Sequence, residues 1–320
     1  MKIIKPSVEI LTPVDDAEVL KHIERCGRIC YKSEDKITDT SADAFVANII
    51  KRGHEAVLEH GSFRFQMNHT AMIDLQCLVQ EMENKGFFSY LRFTREERSI
   101  VSGNVRAWRD FMKACVRHFD CIPGYMRKFI RANPVLFPEF QDPKILGGNR
   151  SEMFAPVAIS DLKTITEHLV HHDVTAKFIC DRGVSHEIVR HRPSSYCQES
   201  TRYCNYSKDG FGGEITVIAP LFLGRDTPGW NIWRRSCETS ETAYFDLLDY
   251  GCTPQEARSV LPNSLKTEIV TTAALGEWHH FMVLRTSPAA HPQMREVAIL
   301  GLKDFRDLNP SIFSDINPEV

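Results

Sequence analysis

Apolar residues in this chain recur mostly at helical spacing, and only a few short segments alternate apolar and polar residues as strands do. The clearest helical stripe runs through Val105, Trp108, Phe111 and Cys115, whereas residues 62–67 alternate with a period of two. A chain with both periods cannot be all helical or all strand. The pattern therefore predicts an α+β fold with many helices and few strands.

The predicted elements follow from these periods together with capping and breaking residues. Helices are predicted after a cap at Asp15 and Asp16, from Ser41 to Gly53, and over 73–119, 161–171, 230–251, 277–284 and 292–305. Strands are predicted over 62–67, 174–180, 215–219 and 268–272. Thr253 and Glu256 form a capping-box pattern, prolines predict loops between 123 and 160, and Gly210–Gly213 predicts a turn. The sequence shows no internal repeat.

Length and charge exclude several classes of protein. A chain of 320 residues fits about two domains or one large one. The net charge of −3 argues against a partner that is a nucleic acid polymer or an anionic membrane. No apolar run reaches the roughly 18 residues of a membrane span, and the first residues do not form a signal-peptide core, so a cytoplasmic protein is expected. The ten cysteines include no Cys-x-x-Cys pair, so reduced thiols and no metal site are expected.

One basic segment carries the chemistry. Residues 182–202 hold four arginines against two glutamates, a local charge of +2, with serine, threonine and tyrosine hydroxyls interleaved. Guanidinium groups and hydroxyls are typical ligands of phosphate. A solvated basic face with surface ion pairs explains the composition equally well. His186 and His191 are five residues apart, so they do not match the zinc-protease spacing of four.

The same segment supports a resemblance to a known family. Arg190-His191-Arg192, then seven residues, then Ser200 and Arg202-Tyr203, resembles the signature of the flavin-dependent thymidylate synthases, the ThyX family. Residues 27–31, 53–60, 257–262, 278–285 and 290–293 resemble further family segments in the same order. The resemblance thus runs from about residue 26 to 300.

The resemblance implies a ThyX-like α+β fold, a mixed sheet with flanking helices, as a single domain over 1–320. Residues 70–165 would be a helical insertion within it. It also implies methylation of dUMP to dTMP, with methylenetetrahydrofolate as carbon donor, FAD as hydride donor and NADPH as reductant of the flavin. Family members are homotetramers whose active sites lie at subunit interfaces.

Site residues are implied position by position. The resemblance assigns flavin binding to His54, Ala56, Arg190, His191, Arg192, Gln198, Ala274, Gly276 and His280. It assigns nucleotide binding to Glu187, Arg190, Gln198, Glu199, Ser200, Thr201, Arg202, Arg258 and Arg285. Arg285 would be the catalytic cation that faces the uracil ring. A helix C-terminal cation is the alternative for Arg285, a structural ion pair for Arg258, and a packed or capping histidine for His54.

The chain departs from the family mostly on the flavin side. Ala274 and Gly276 stand where the family has an asparagine and an arginine that contact FAD, and Gln198 stands for a glutamate. Loss of that arginine removes a phosphate contact. These departures motivate a second hypothesis, a nucleotide-binding relative without flavin chemistry. The basic segment motivates a third, a nucleic-acid module, against which the net charge of −3 argues.

Overall fold

The computed structural model describes residues 1–11, 18–148, 154–202, 204–207 and 212–318. The predicted cap at Asp15 and Asp16, Tyr203 of the signature, and Gly210 and Phe211 of the predicted turn lie outside these residues.

The elements alternate between long helices and short strands. The helices are α1 (Val19–Tyr31), α2 (Ser41–Lys51), α3 (His69–Asn84), α4 (Val105–Phe119), α5 (Arg127–Ala132), α6 (Ile165–His171), α7 (Arg182–Ile188), α8 (Pro228–Asp249), α9 (Pro254–Ala257), α10 (Leu275–Arg285), α11 (Pro292–Leu308) and α12 (Pro310–Phe313). The strands are β1 (Lys2–Ile4), β2 (Ser7–Ile10), β3 (Ser62–Met67), β4 (Arg92–Arg95), β5 (Ser99–Asn104), β6 (Phe154–Pro156), β7 (Asp173–Asp181), β8 (Ser195–Gln198), β9 (Thr216–Ile218) and β10 (Lys266–Ala274).

One four-stranded sheet has the order β2-β7-β10-β8, and every neighbouring pair in it is antiparallel. Side chains of β10 alternate between two cores, as a strand buried on both faces requires. Ile269 packs against α10 and α11, whereas its neighbour Val270 packs into the core that contains α1. This sheet is antiparallel because β10 runs opposite to both of its neighbours. In the described residues, parallel pairing joins β1 to β9, and an isolated parallel bridge joins Ile122 to Leu146.

A second four-stranded sheet has the order β4-β5-β3-β6 and is also antiparallel. An aromatic cluster fills the space between it and α4 and α5. In this cluster Phe65 stacks on Phe154 at 3.8 Å and meets Trp108 edge-to-face at 5.5 Å between ring centroids. Trp108 belongs to the predicted helical stripe, which therefore faces this core.

Within the described residues the sequence-based elements are confirmed in type, with two errors. Where prolines predict loops between 123 and 160, the chain also forms α5 and β6. Residues 73–119 do not form a continuous helical region, because β4 and β5 lie between α3 and α4. Residues 70–165, which are predicted to be a helical insertion and are called the inserted segment below, therefore carry three strands as well as helices. These strands are short, and they are stabilised by pairing with β3 and with each other, which local periodicity does not reveal. The Thr253 capping box is confirmed, since the Thr253 amide donates to Glu256 Oε2 at 2.8 Å. Within the described ranges, no helix combines the length and the hydropathy needed to cross a bilayer.

Candidate functional site

The basic segment lies where β7 ends and β8 begins. The Asp181 carboxylate accepts the Val184 amide at 2.8 Å and so caps α7, which follows the strand directly. The chain then turns through 189–194 before β8 pairs with β10. The arginines of the signature therefore occupy a short connection held at both ends by the central sheet.

Arg285, from the distant end of α10, reaches this connection. Its Nε donates to His191 Nε2 at 2.7 Å, and its Nη1 pairs with Glu187 Oε2 at 2.9 Å. The His280 ring lies 6.2 Å from the His191 ring. Four predicted site residues, separated by nearly 100 positions, thus form one cluster. The ion pair with Glu187 also means that Arg285 does not present an uncompensated charge.

His191 is neutral at physiological pH in this cluster. Burial and the neighbouring Arg285 and His280 lower the pKa of His191 to about 4. Because its Nε2 accepts the Arg285 hydrogen bond, the ring proton lies on Nδ1. His191 can therefore donate a hydrogen bond from Nδ1 while it orients Arg285.

A second cluster surrounds the end of β8. Arg258 Nη1 donates to Thr201 Oγ1 at 3.2 Å, which brings the second predicted arginine to the signature. The Ser200 hydroxyl accepts the Arg202 amide at 3.4 Å. Glu199 is buried and pairs with Lys266 at 2.8 Å. Gln198 Nε2 donates to Ser185 Oγ at 2.9 Å and to Thr267 Oγ1 at 3.2 Å.

A cavity of about 810 Å³ adjoins the signature and is large enough for a cofactor. Among the predicted flavin residues, Arg192, Ala274 and Gly276 line it. Arg192 is exposed and makes no hydrogen bond or ion pair with any residue in the described part of the chain. The structure does not bring His54 and Ala56 to this cavity. His54 Nδ1 instead lies 3.1 Å from the Tyr31 hydroxyl, and Ala56 is exposed.

The cavity also has lining residues that sequence reasoning missed. Those contributed by the first half of the chain are Glu59, Tyr90, Leu91, Arg92, Asn104, Arg106, Ala107 and Asp110. All but Glu59 belong to the inserted segment, to which the resemblance assigns no site residue. Asn104 and Arg106 form a recognisable sequence pattern, a helix-capping residue followed two residues later by an arginine, and this pattern could have indicated them as site residues. Across the described ranges, no group of three or more His, Cys, Asp or Glu side chains is placed to hold a metal ion.

Fold and site together define an α+β protein with an arginine- and histidine-rich cluster beside a large cavity. The family model described as "Thymidylate synthase complementing protein" matches residues 14–81 and 160–311, which is more than half of the chain. The chain belongs to this family. The unmatched residues between the two matches fall within the inserted segment.

Individual relatives match over shorter stretches. A flavin-dependent thymidylate synthase from Geobacter sulfurreducens is 33% identical over 137 residues, which covers 43% of this chain and 57% of the relative. One from Mycobacteroides abscessus is 33% identical over 151 residues, or 42% of this chain and 58% of the relative. The chain thus spans a little over half the length of these relatives. Among solved structures, a UMP/dUMP methylase PolB from Streptomyces cacaoi bound with 5-Br dUMP is 15% identical to this chain. The comparison covers 98% of this chain and 96% of that structure, with a TM-score of 0.42. This likeness is too weak to establish a shared fold.

Proposed function

We propose that the protein is a flavin-dependent thymidylate synthase that converts dUMP to dTMP. The observation that supports this most strongly is that two distant arginines meet at the signature. Arg285 and Arg258, far from the signature in sequence, both contact it through His191 and Thr201. A solvated basic face would not gather two distant arginines at one short connection. With the family match, the arrangement favours a phosphorylated pyrimidine as substrate.

The residues present fit a flavin. The cavity volume suits a large ligand, Tyr90 at its edge is an exposed aromatic ring, and Arg106 and Arg192 are cations on its wall. When bound, FAD would supply the hydride for the reaction. Arg192, with Ala274 and Gly276, would lie against it. His54, Ala56, Arg190, Gln198 and His280 stay predicted flavin contacts.

Arg285 is proposed to stabilise negative charge on the uracil ring, which makes C5 nucleophilic. A cation about 4 Å from the ring contributes roughly 4 kcal/mol at an effective dielectric near 20. The role of Arg285 is electrostatic, because a guanidinium group acts as a fixed cation. Its ion pair with Glu187 holds the guanidinium in place. Rearrangement of this ion pair when dUMP binds would leave the Arg285 charge available to stabilise the uracil ring.

The remaining expectations are proposed on the resemblance. Glu187, Arg190, Gln198, Glu199, Ser200, Thr201, Arg202 and Arg258 would bind the nucleotide. Methylenetetrahydrofolate would donate the carbon and NADPH would reduce the flavin. We also propose one catalytic domain over 1–320 with residues 70–165 inserted, a homotetramer, and a cytoplasmic location.

Two measurements test the proposal. The visible spectrum of the purified protein with and without added FAD reports flavin uptake, and methylation of dUMP with NADPH and methylenetetrahydrofolate reports turnover. We expect flavin absorbance and dTMP formation. Arg234→Ala on exposed α8 is a matched control that should leave both unchanged. A protein that takes up no FAD and forms no dTMP would refute the proposal.

A nucleotide-binding relative without flavin chemistry is the second candidate. Gly276 supports it, because a Cβ there would lie 3.0 Å from the Leu169 carbonyl oxygen, so helix α6 occupies the space of a longer side chain. This candidate predicts dUMP binding without FAD uptake, so separate titrations of the two ligands distinguish it.

A further inference from the structure

The two four-stranded sheets repeat one topology. In the second half, α6 leads into β7, α7 and β8 and, after the intervening β9, α8 and α9, into β10 and α10; the sheet order is β2-β7-β10-β8. In the first half, the 3₁₀ helix Glu55–His60 leads into β3, α3, β4, β5 and α4, and the order read from the other edge is β6-β3-β5-β4. The strands β7 and β10 thus correspond to β3 and β5, and helix α10 corresponds to α4.

Matching hydrogen bonds align the two halves residue by residue. The first amide of α10, Leu275 N, donates to His172 O at 3.0 Å, and the first amide of α4, Val105 N, donates to Gly61 O at 2.8 Å. In each half the acceptor directly precedes the strand, β7 or β3. Residues 172 and 275 therefore correspond to 61 and 105.

The halves also contact each other reciprocally. His60 Nδ1 of the first half lies 2.7 Å from Thr272 Oγ1 of the second. His171 Nδ1 of the second half lies 2.7 Å from Ser102 Oγ of the first. By the alignment above, His60 corresponds to His171 and Ser102 to Thr272. The two contacts therefore match in position, in both atoms and in distance, as an approximate two-fold relation between the halves requires.

Residues of both halves line the cavity, and its two sides differ in chemistry. On α10, the cap and second helical positions are Ala274 and Gly276, neither of which can contact a phosphate through its side chain. On α4, the corresponding positions are Asn104 and Arg106, and both line the same cavity. The asparagine and arginine that the resemblance expects on α10 are therefore present on α4.

The signature shows the opposite asymmetry. Arg190-His191-Arg192 stands three to five residues before β8, whereas Phe87-Phe88-Ser89 stands at the corresponding place before β4. The two halves therefore differ in which of the corresponding positions carry polar side chains. Of these four segments in the described residues, α4 contributes Arg106 to the cavity wall and the signature contributes Arg192, whereas α10 and residues 87–89 contribute no arginine to it.

Contacts that include one between the halves hold Arg106 at the cavity wall. Glu59 pairs with Arg106 Nη1 at 2.7 Å, and its other oxygen accepts the Ser195 hydroxyl at 2.9 Å. Asp110 lies 3.5 Å from Arg106 Nε. The guanidinium has five donors, so these two carboxylates leave some free, and the side chain is 45% exposed. The two carboxylates partly neutralise the Arg106 guanidinium but leave some of its N–H groups available to a ligand.

We propose that residues 55–119 are a second copy of the catalytic half, and that Arg106, with Asn104, binds the phosphate groups of the flavin in place of α10. Arg192 contacts those phosphates from the other half. This inference rests on the proposed function, because it takes FAD as the ligand of the cavity.

The test is a binding titration with two probes, FAD and riboflavin, followed by flavin fluorescence. Arg106→Ala should raise the Kd of FAD about 10- to 100-fold, because a charge-assisted hydrogen bond is lost. It should change the Kd of riboflavin, which has no phosphate, less than threefold. Arg117→Ala, at the other end of α4 and exposed, is the control and should bind both as wild type does. Arg106→Lys should recover part of the FAD affinity.

The outcomes separate this inference from the proposed function. If wild type binds FAD and Arg106→Ala binds it equally tightly, the inference is overturned and the proposed function stands. An equal loss for FAD and riboflavin would indicate a structural role and also overturns the inference. If wild type binds neither FAD nor riboflavin, both fall; a parallel dUMP titration then shows whether the nucleotide site remains.

Discussion

Four buried histidines should make the folded protein sensitive to mild acid. Burial lowers the pKa of His60 to about 3 and those of His22, His171 and His172 to about 4, from an ordinary value of 6.5. Below pH 6.5 the unfolded chain therefore binds protons that the folded chain does not. Each histidine contributes stability that is present above pH 6.5 and is lost as the pH falls toward its folded-state pKa.

The magnitude follows from these values. Between pH 7.5 and 5.5, a histidine with a folded-state pKa near 4 lowers the free energy of unfolding by roughly 1.4 kcal/mol. Four such groups together remove about 5 to 6 kcal/mol, which is comparable to the total stability of a typical domain. The loss should be measured by urea unfolding at several pH values with an intrinsic tryptophan signal.

His171→Gln isolates one of these terms. Glutamine can hydrogen-bond Thr94 or Ser102 but does not titrate, so the variant should lose about 1.4 kcal/mol less than wild type over the same range. Its stability at pH 7.5 should be lower, because the packing of the ring is lost. His69→Gln, at an exposed position, is the matched control and should run parallel to wild type. A His171→Gln curve parallel to wild type would refute the reasoning.

Three further substitutions test the site and its packing. Arg285→Ala should lower kcat for dTMP formation about 10²- to 10³-fold while the Kd of FAD changes little; a near-normal rate would reduce Arg285 to a helix C-terminal cation. Arg202→Ala should raise the Kd of dUMP about tenfold, and an unchanged Kd in calorimetry would contradict its place in the nucleotide site. Gly276→Ala should lower the free energy of unfolding by about 1 to 3 kcal/mol, since its Cβ would crowd Leu169 O, whereas the control Gly148→Ala meets open space. Equal stability of the two glycine variants would show that α6 yields without cost.

The family and much of the fold could be predicted from local sequence. Long helices such as α4 and α8 carry their apolar stripes and caps within one stretch of chain. The signature is likewise contiguous, so its residue types and spacing are readable without a structure. Local sequence does not predict the strands β4 and β5, because β5 pairs with β3, more than 30 residues earlier, and β4 in turn pairs with β5.

The sequence by itself determined that this chain is an α+β member of a thymidylate synthase family with one arginine-rich signature. Only the tertiary structure decided that Glu187, His191 and Arg285 form a cluster, that two halves repeat one topology, and that the inserted segment lines the cavity. The physical reason is that capping, periodicity and charge runs act between neighbours in the chain. Strand pairing and the reciprocal contacts of His60 and His171 join residues far apart, so no contiguous stretch of sequence contains both partners.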